Sequence, residues 1–354
     1  LTVGVSLNIS VFLVLNSGYC YDVDVHEKIT EYAIGSSSIN GALEQIGYSV
    51  TDSVDKKRII DWIKDGSKKE DFNWQYLMDP LYSHFYNPLT NKSGVGDSWP
   101  SAYEWANSMS NNWSWKAARD NFHEGLTLTD KTQRGKALAK AFEALGHVVH
   151  LVQDVSVPAH ARADLHASVF LVSLFVGNDS YEIYTKKNIG GLNYTLSLFG
   201  GSTTSVSSGA PRQFWDTDTY TDKTLPVGDA IGLAEYTSFN FVSDDTIFKN
   251  FPYPKYSTQR YEIKEEPVPP DKRRIYLKND GDGETIEHFA TYGVFSKRLV
   301  DPELKMSSLK LDEKSHGDYQ RKLIPRAVGY SAGLLNYFFR GTIGIELDQN
   351  SPDE

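Results

Sequence analysis

Apolar residues recur at helical spacing in a series of stretches, and the polar intervals between them set the expected architecture. Tyr21–Ala33 passes from a short polar lead into a helical pattern with His26 at its start. Asp52–Asp71 reads as a helix carrying Val54, Ile59, Ile60 and Ile63, breaking at Gly66 into the charged run KKED beside Phe72 and Trp74. Ser101–Asp120 places Tyr103, Trp105, Trp113 and Trp115 at helical spacing and reads mainly as core packing, with lining of an acyl or base-binding groove as the other use of such aromatics. Between Lys136 and Val152, the residues Leu138, Phe142, Leu145, Val149 and Val152 fall on one side, the period of a buried helix. Leu225–Phe241 is helical in pattern. Tyr319–Phe339 is strongly so, with Leu323, Ala327, Tyr330, Leu334 and Phe338 on one face.

The intervals lack such a period. From Lys187 to about Asp222 the chain turns to Gly, Ser, Thr and aromatics, the composition of a loop or insertion. Pro252–Lys272 is rich in proline and charge and reads as a long surface connection. After Gly341 the pattern TIGIEL turns strand-like, so 342–354 reads as a tail or the start of a further module. The expected architecture is all-α, a multi-helix domain over residues 21–341 with long loop insertions. The opening LTVGVSLNISVFLVL is uncharged and apolar and is followed by Asn-Ser-Gly, as in the h-region of a signal peptide. Residues 1–20 are therefore expected to be a partial signal peptide cut near Cys20 or Tyr21, and the run is short for a membrane span. A secreted, periplasmic or cell-surface protein follows from that expectation.

A chain of 354 residues can bury a large core as one domain or two. Its formal net charge of −10 gives no general attraction to phosphate backbones or anionic membrane surfaces, so strong nucleic-acid binding is not expected, although bound cations can reverse the sign locally. No internal repeat, nucleotide-binding glycine loop or basic stripe is present. The single cysteine, Cys20, excludes an internal disulfide and a thiolate zinc cluster, leaving His, Asp, Glu or main-chain atoms for any metal.

Such atoms concentrate in His147–His160, HVVHLVQDVSVPAH. His150 and Asp154 are four residues apart and share a helix face; His160 follows six residues after Asp154, just past Pro158, where the helix must give way. One histidine alone is ordinarily a core or capping residue. Three imidazoles (His147, His150 and His160) and a carboxylate within fourteen positions each need a partner, and a divalent cation satisfies several at once.

The pattern H-x-x-x-D-(x)5-H ending in P-x-H resembles the core motif of the bacterial zinc-dependent phospholipase C family, which related fungal single-strand nucleases share. The resemblance implies an all-helical domain holding up to three zinc ions, with Asp154 bridging two. His84-Phe85-Tyr86-Asn87-Pro88 fits the family's His-Phe-Tyr-x-Pro segment and makes His84 a ligand. Asp71 lies thirteen residues before it, about where the family has a zinc-binding Asp, with Asp61 and Asp65 as close rivals. By resemblance, Asp71, His84, His150 and Asp154 hold the first ion. His160, Glu182 and one further group hold the second. The third falls to Asp154, His26 and the backbone of the mature N-terminal residue, here Tyr21 where the family commonly has Trp. The family places a His four residues before the Glu of the second site; this chain has Asn178 there, and His166 is the expected replacement. Asp71 is the carboxylate expected to orient or deprotonate the attacking water. The helix Tyr319–Phe339 resembles the family's closing helix, so the likeness covers about Tyr21–Glu182 and this segment.

The function implied is a secreted zinc-dependent phosphodiester hydrolase of the phospholipase C type, acting on a phospholipid or other phosphodiester with peripheral contact to a membrane. Clustered divalent ions suit that chemistry independently, since they neutralise charge developing on a phosphoryl group and acidify water. The alternatives are a single-strand nuclease or nucleotidase using the same metal site, and a non-catalytic binding module stabilised by its metal. A structural zinc site usually employs cysteine, which weighs against the last.

Overall fold

The computed structural model describes residues 23–72, 82–95, 98–165, 179–191, 211–220, 231–256, 261–268, 272–279, 284–293 and 306–341. Helices dominate: α1 (Val23–Ser36), α2 (Ile39–Glu44), α3 (Ile59–Lys69), α4 (Ala102–Asn107), α5 (Trp115–Thr127), α6 (Lys131–Asp154), α7 (Pro158–Ala161), α8 (Ser180–Asn188), α9 (Leu233–Asn240) and α10 (Glu313–Phe338). Two small antiparallel sheets accompany them. One pairs β1 (Ser53–Val54) with β2 (Lys57–Arg58); the other runs in the order β3 (Tyr261–Val268), β4 (Lys272–Asn279), β5 (Ile286–Tyr292), β6 (Leu309–Lys310). The described residues are thus mostly helical, roughly compatible with the expected all-α architecture, with two small sheets besides. None of the described helices is long and apolar enough to cross a membrane.

Helix α6 is the axis of the domain. The Asp130 carboxylate accepts from Gln133 N at 2.7 Å and caps its start, and every residue from Ala141 to Asp154 is buried. A helix buried on all sides must be surrounded, and α3 and α5 flank it while α1 and α10 close over it. It stops at Asp154, not at Pro158. Ser156 N and Oγ both donate to Gln153 O, at 2.9 and 2.7 Å, and Pro158 then opens α7 at its first turn, where a missing N–H is harmless.

Gly66 does not break α3, as the sequence pattern suggests, but lies buried within it. A Cβ on Gly66 would fall on the carbonyl of Glu143, and one on Gly146 would fall on the carbonyl of Ile63 and 3.0 Å from Gly66 Cα. The backbones of α3 and α6 therefore touch at a glycine pair. The segment expected to begin that helix is a hairpin, turned by Asp55 and Lys56 with φ of 45° and 70°, as a two-residue loop of this twist requires. Ser101–Asp120 is likewise two helices, α4 and α5, capped by Ser101 and Ser114. Helix α9 covers Leu233–Asn240 of the expected Leu225–Phe241, of which residues 225–230 lie outside the described residues.

The largest departure is the four-stranded sheet. Tyr261–Val268 falls where a surface connection is expected, because the strand is charged and contains Pro267. Its register sets Glu266 opposite Arg274, a cross-strand pairing that needs no apolar alternation. The sheet docks on α10, where Tyr319 Oη donates to Phe289 O at 2.9 Å and His288 lies between Glu266 and Asp318, 2.9 and 3.0 Å from their oxygens. Helix α10 starts six residues before the expected Tyr319, because the Asp312 carboxylate caps it through Lys314 N and Ser315 N, each at 3.1 Å. The strand-like 342–354 and the apolar 1–20 lie outside the described residues.

Two measurements probe this packing. Gly146→Ala places a methyl group in the backbone of α3 and is expected to destabilise the fold by about 3 kcal/mol. Gly41→Ala, whose Cβ would meet nothing within 4 Å, is expected to be neutral or slightly stabilising; urea unfolding of both variants is the check. His316, buried near Tyr181 and Tyr184, has its pKa lowered by burial to about 4, against the attraction of Asp312 and Glu313. The unfolded chain binds that proton near pH 6.5, so stability should fall by roughly 2–3 kcal/mol as pH drops from 6.5 toward 4. Urea midpoints across that range should show this component in the wild type and not in His316→Gln.

Candidate metal centre

Five ionisable side chains meet at the C-terminal end of α6. His150 and Asp154 project from its last turns, His26 from the first turn of α1, Asp71 from a 3₁₀ turn (Glu70–Phe72) that follows α3, and His84 from the loop before α4. The side chains of His26, His150 and Asp154 have no exposed surface, and those of Asp71 and His84 are 2–3% exposed. Such a set is costly to bury without a shared partner.

Asp154 divides its two oxygens between two groups of donors. Oδ1 faces His26 Nε2 at 3.4 Å; Oδ2 faces His84 Nδ1 at 2.8 Å and His150 Nε2 at 3.2 Å. Asp71 Oδ1 lies 3.4 Å from His150 Nε2 and 3.7 Å from His84 Nδ1, and those two nitrogens are 3.2 Å apart. His150 thus belongs to both sets, His26–His150–Asp154 and Asp71–His84–His150. Ligands about 2.0–2.1 Å from one tetrahedral zinc stand ~3.3 Å from each other. The observed spacings, from 2.8 to 3.7 Å, bracket that edge.

The opposite ring nitrogens show which atoms are on offer. His150 Nδ1 donates to the Ser67 carbonyl at 2.6 Å, His160 Nδ1 to the His84 carbonyl at 3.0 Å and His26 Nδ1 to Gln153 Oε1 at 2.7 Å. A carbonyl only accepts, so these rings carry their proton on Nδ1 and turn an Nε2 lone pair toward a carboxylate. Lone pair facing lone pair is repulsive unless a proton or a cation lies between. Neither oxygen of Asp154, nor Oδ2 of Asp71, receives a hydrogen bond despite complete burial. Three imidazole nitrogens and two such carboxylates, without cysteine, fit zinc well.

With protons in place of a cation, the groups are driven apart. Burial alone would lower His150 and His84, but the Asp154 and Asp71 carboxylates overcome it and raise both. Burial and the neighbouring His150 hold His26 well below its ordinary value. Burial raises Asp71 although His150 and His84 oppose it. Asp154 is also pushed up by burial, yet His150 and His84 outweigh this and keep it ionised well below the carboxylate range.

A second pair sits beside this cluster. His160 Nε2 faces Glu182 Oε1 at 3.3 Å, with the His160 ring stacked on Phe85. Glu182 is held by α8, whose start is capped by Asp179 through Glu182 N at 2.9 Å. Among the described residues no further His, Cys, Asp or Glu completes a ligand set with this pair. The expected ligands Tyr21 and His166, and Asn178 with them, lie outside the described residues. The rivals of Asp71 are placed elsewhere: Asp61 pairs with Arg58 at 2.7 Å and Asp65 with Lys57.

The sequence pattern assigns none of the residues that orient this centre to that role. His147 is not among the expected ligands; its Nδ1 bonds Glu70, which also accepts from Trp105 Nε1 at 2.8 Å, and Trp113 stacks on its ring at 4.8 Å. This buried unit anchors the turn that presents Asp71. Adjacency of Glu70 to Asp71 was the available signal. Ser67 and Gln153 had none, since their partners come from distant segments.

No family model matches the sequence, and no curated protein or solved structure matches it either. The geometry predicts more than one zinc per chain by elemental analysis of the purified protein. Asp154→Asn keeps the shape but removes the charge shared by both donor groups, and is expected to lower the zinc content by at least one equivalent.

Proposed function

We propose that this chain is a zinc-dependent phosphodiester hydrolase of the phospholipase C type. The observation that carries the reading is the division of Asp154 between two donor groups, which suits a pair of neighbouring cations rather than one. The motif resemblance over His84–Pro88 and His150–His160 supports the same reading from the sequence.

His84, His150, Asp71 and Asp154 would hold one zinc, and His26 with Asp154 would contribute to another; His160 and Glu182 would contribute to a third. Bound there, zinc supplies positive charge for phosphate oxygens and acidifies water at neutral pH. The chain's own part is to fix charge and protons. Asp154, ionised, supplies negative charge to both groups. The Nδ1 bonds of His26 and His150 keep their Nε2 atoms directed at Asp154, and that of His160 directs its Nε2 at Glu182. Asp71 Oδ2, which receives no hydrogen bond, is the atom placed to take a proton from an attacking water. Glu70 keeps that carboxylate in position through His147 and Trp105.

The substrate is proposed to be a phospholipid headgroup ester, since the net charge of −10 opposes a polyanionic nucleic acid. The test offers phosphatidylcholine vesicles, a soluble aryl phosphodiester and single-stranded DNA, each with zinc and with a strong chelator. Zinc-dependent release from the vesicles and the soluble diester, lost with chelator, is the expected result; salt-sensitive cleavage of DNA alone would favour a nuclease. Asp71→Asn should reduce turnover of the soluble diester by about 10²-fold or more while the protein remains folded.

A further inference from the structure

The ring of His26 can offer Nε2 toward Asp154 only if its proton sits on Nδ1, and a closed circuit of buried hydrogen bonds makes that choice. The circuit begins at the His26 carbonyl, which can only accept, and takes the Ser67 hydroxyl proton at 3.4 Å. With that proton committed, Ser67 Oγ accepts from Thr30 Oγ1 at 2.8 Å. With its own proton committed, Thr30 Oγ1 accepts from Gln153 Nε2 at 2.9 Å; the same amide nitrogen points to Ser331 Oγ at 3.4 Å. The amide end of Gln153 is thereby assigned, and its oxygen must face His26 Nδ1 at 2.7 Å and accept from it. The circuit leaves from the backbone of His26 and returns to its ring.

Every side chain in the circuit is fully buried, so water offers no competing partner. The same Ser67 supplies the carbonyl that accepts from His150 Nδ1 at 2.6 Å, so one residue takes part in orienting both stacked imidazoles, whose centroids are 3.8 Å apart. Ser331, from α10, ties the amide to the closing helix.

We infer that Gln153 is the positioning residue for His26, fixing Nε2 as the atom available to a cation shared with Asp154; this rests on the metal-centre reading above. The outer partner of a ligating histidine typically affects metal affinity by about 10–100-fold. Gln153 is the amide that plays this part here, and it occupies the position immediately before the shared carboxylate.

The test uses the full chain with ¹⁵N-labelled histidine. In the metal-free wild type at neutral pH, long-range ¹H–¹⁵N spectra should show His26 as a single tautomer with the proton on Nδ1. Gln153→Leu should give mixed tautomers, with zinc at the His26 position weakened by at least about tenfold in chelator competition. Gln153→Glu restores an acceptor and should return both the single tautomer and most of the affinity. If Gln153→Leu does not fold, Thr30→Val removes the hydroxyl that orients the amide, and the same two readouts apply. A His26 ring that keeps its proton on Nδ1 with unchanged zinc affinity in these variants overturns the inference. A wild type that binds no zinc defeats the metal-centre reading instead, while the tautomer spectra still decide the role of Gln153.

Discussion

The centre depends on two backbones being allowed to touch. Where α3 crosses α6, Gly66 and Gly146 remove the side chains that would otherwise hold the helices apart. One residue beyond the crossing, the Ser67 carbonyl reaches the ring of His150; one turn beyond, Glu70 reaches His147. Asp71 follows directly. A crossing with ordinary side chains would set the helices at 8–10 Å, and the carbonyl of one helix would no longer orient an imidazole of the other. The close approach also explains why the helix continues through Gly66: burial against α6 more than offsets the roughly 1 kcal/mol preference of an isolated helix for alanine over glycine.

Around that contact the protein concentrates ionisable groups where water is excluded. Each group would be unfavourable alone, and the imidazoles and carboxylates stabilise one another only partially, as the opposed shifts of Asp71 and Asp154 show. Hydrogen bonds from outside the five-residue cluster supply the orientation. The Trp105–Glu70–His147 unit, anchored by the Glu70 carboxylate, and the uncharged Gln153 circuit determine which atoms face inward.

The parts of this arrangement carried by one helix were legible in the sequence. The period from Leu138 to Val152 marked α6, and the spacing of His150, Asp154 and His160 marked where polar groups would leave it. His84 was legible through the segment to Pro88. What escaped has a common cause: its meaning lies in contacts between distant segments. Gln153 and His26 are 127 residues apart, and Glu70 and His147 are 77 apart, so no local pattern announces them. Gly66 read as a helix breaker because glycine's intrinsic preference is visible locally and its packing partner is not. The sheet was missed because the charged side chains of this segment find partners in distant segments, Glu266 in His288 and Lys314 and Arg274 in Asp312, so its charge reads locally as solvent-facing.

The position of His26 in the first turn of α1 has a kinetic consequence. Helix α1 is buried along one face only and opens more readily than α6, which is buried at every residue from Ala141 to Asp154. Opening of α1 would withdraw one imidazole while leaving Asp71, His84 and His150 assembled. The two donor groups joined by Asp154 would then differ in residence time, with exchange at the His26 side set by the motion of α1 and exchange at the other set by the opening of the core itself.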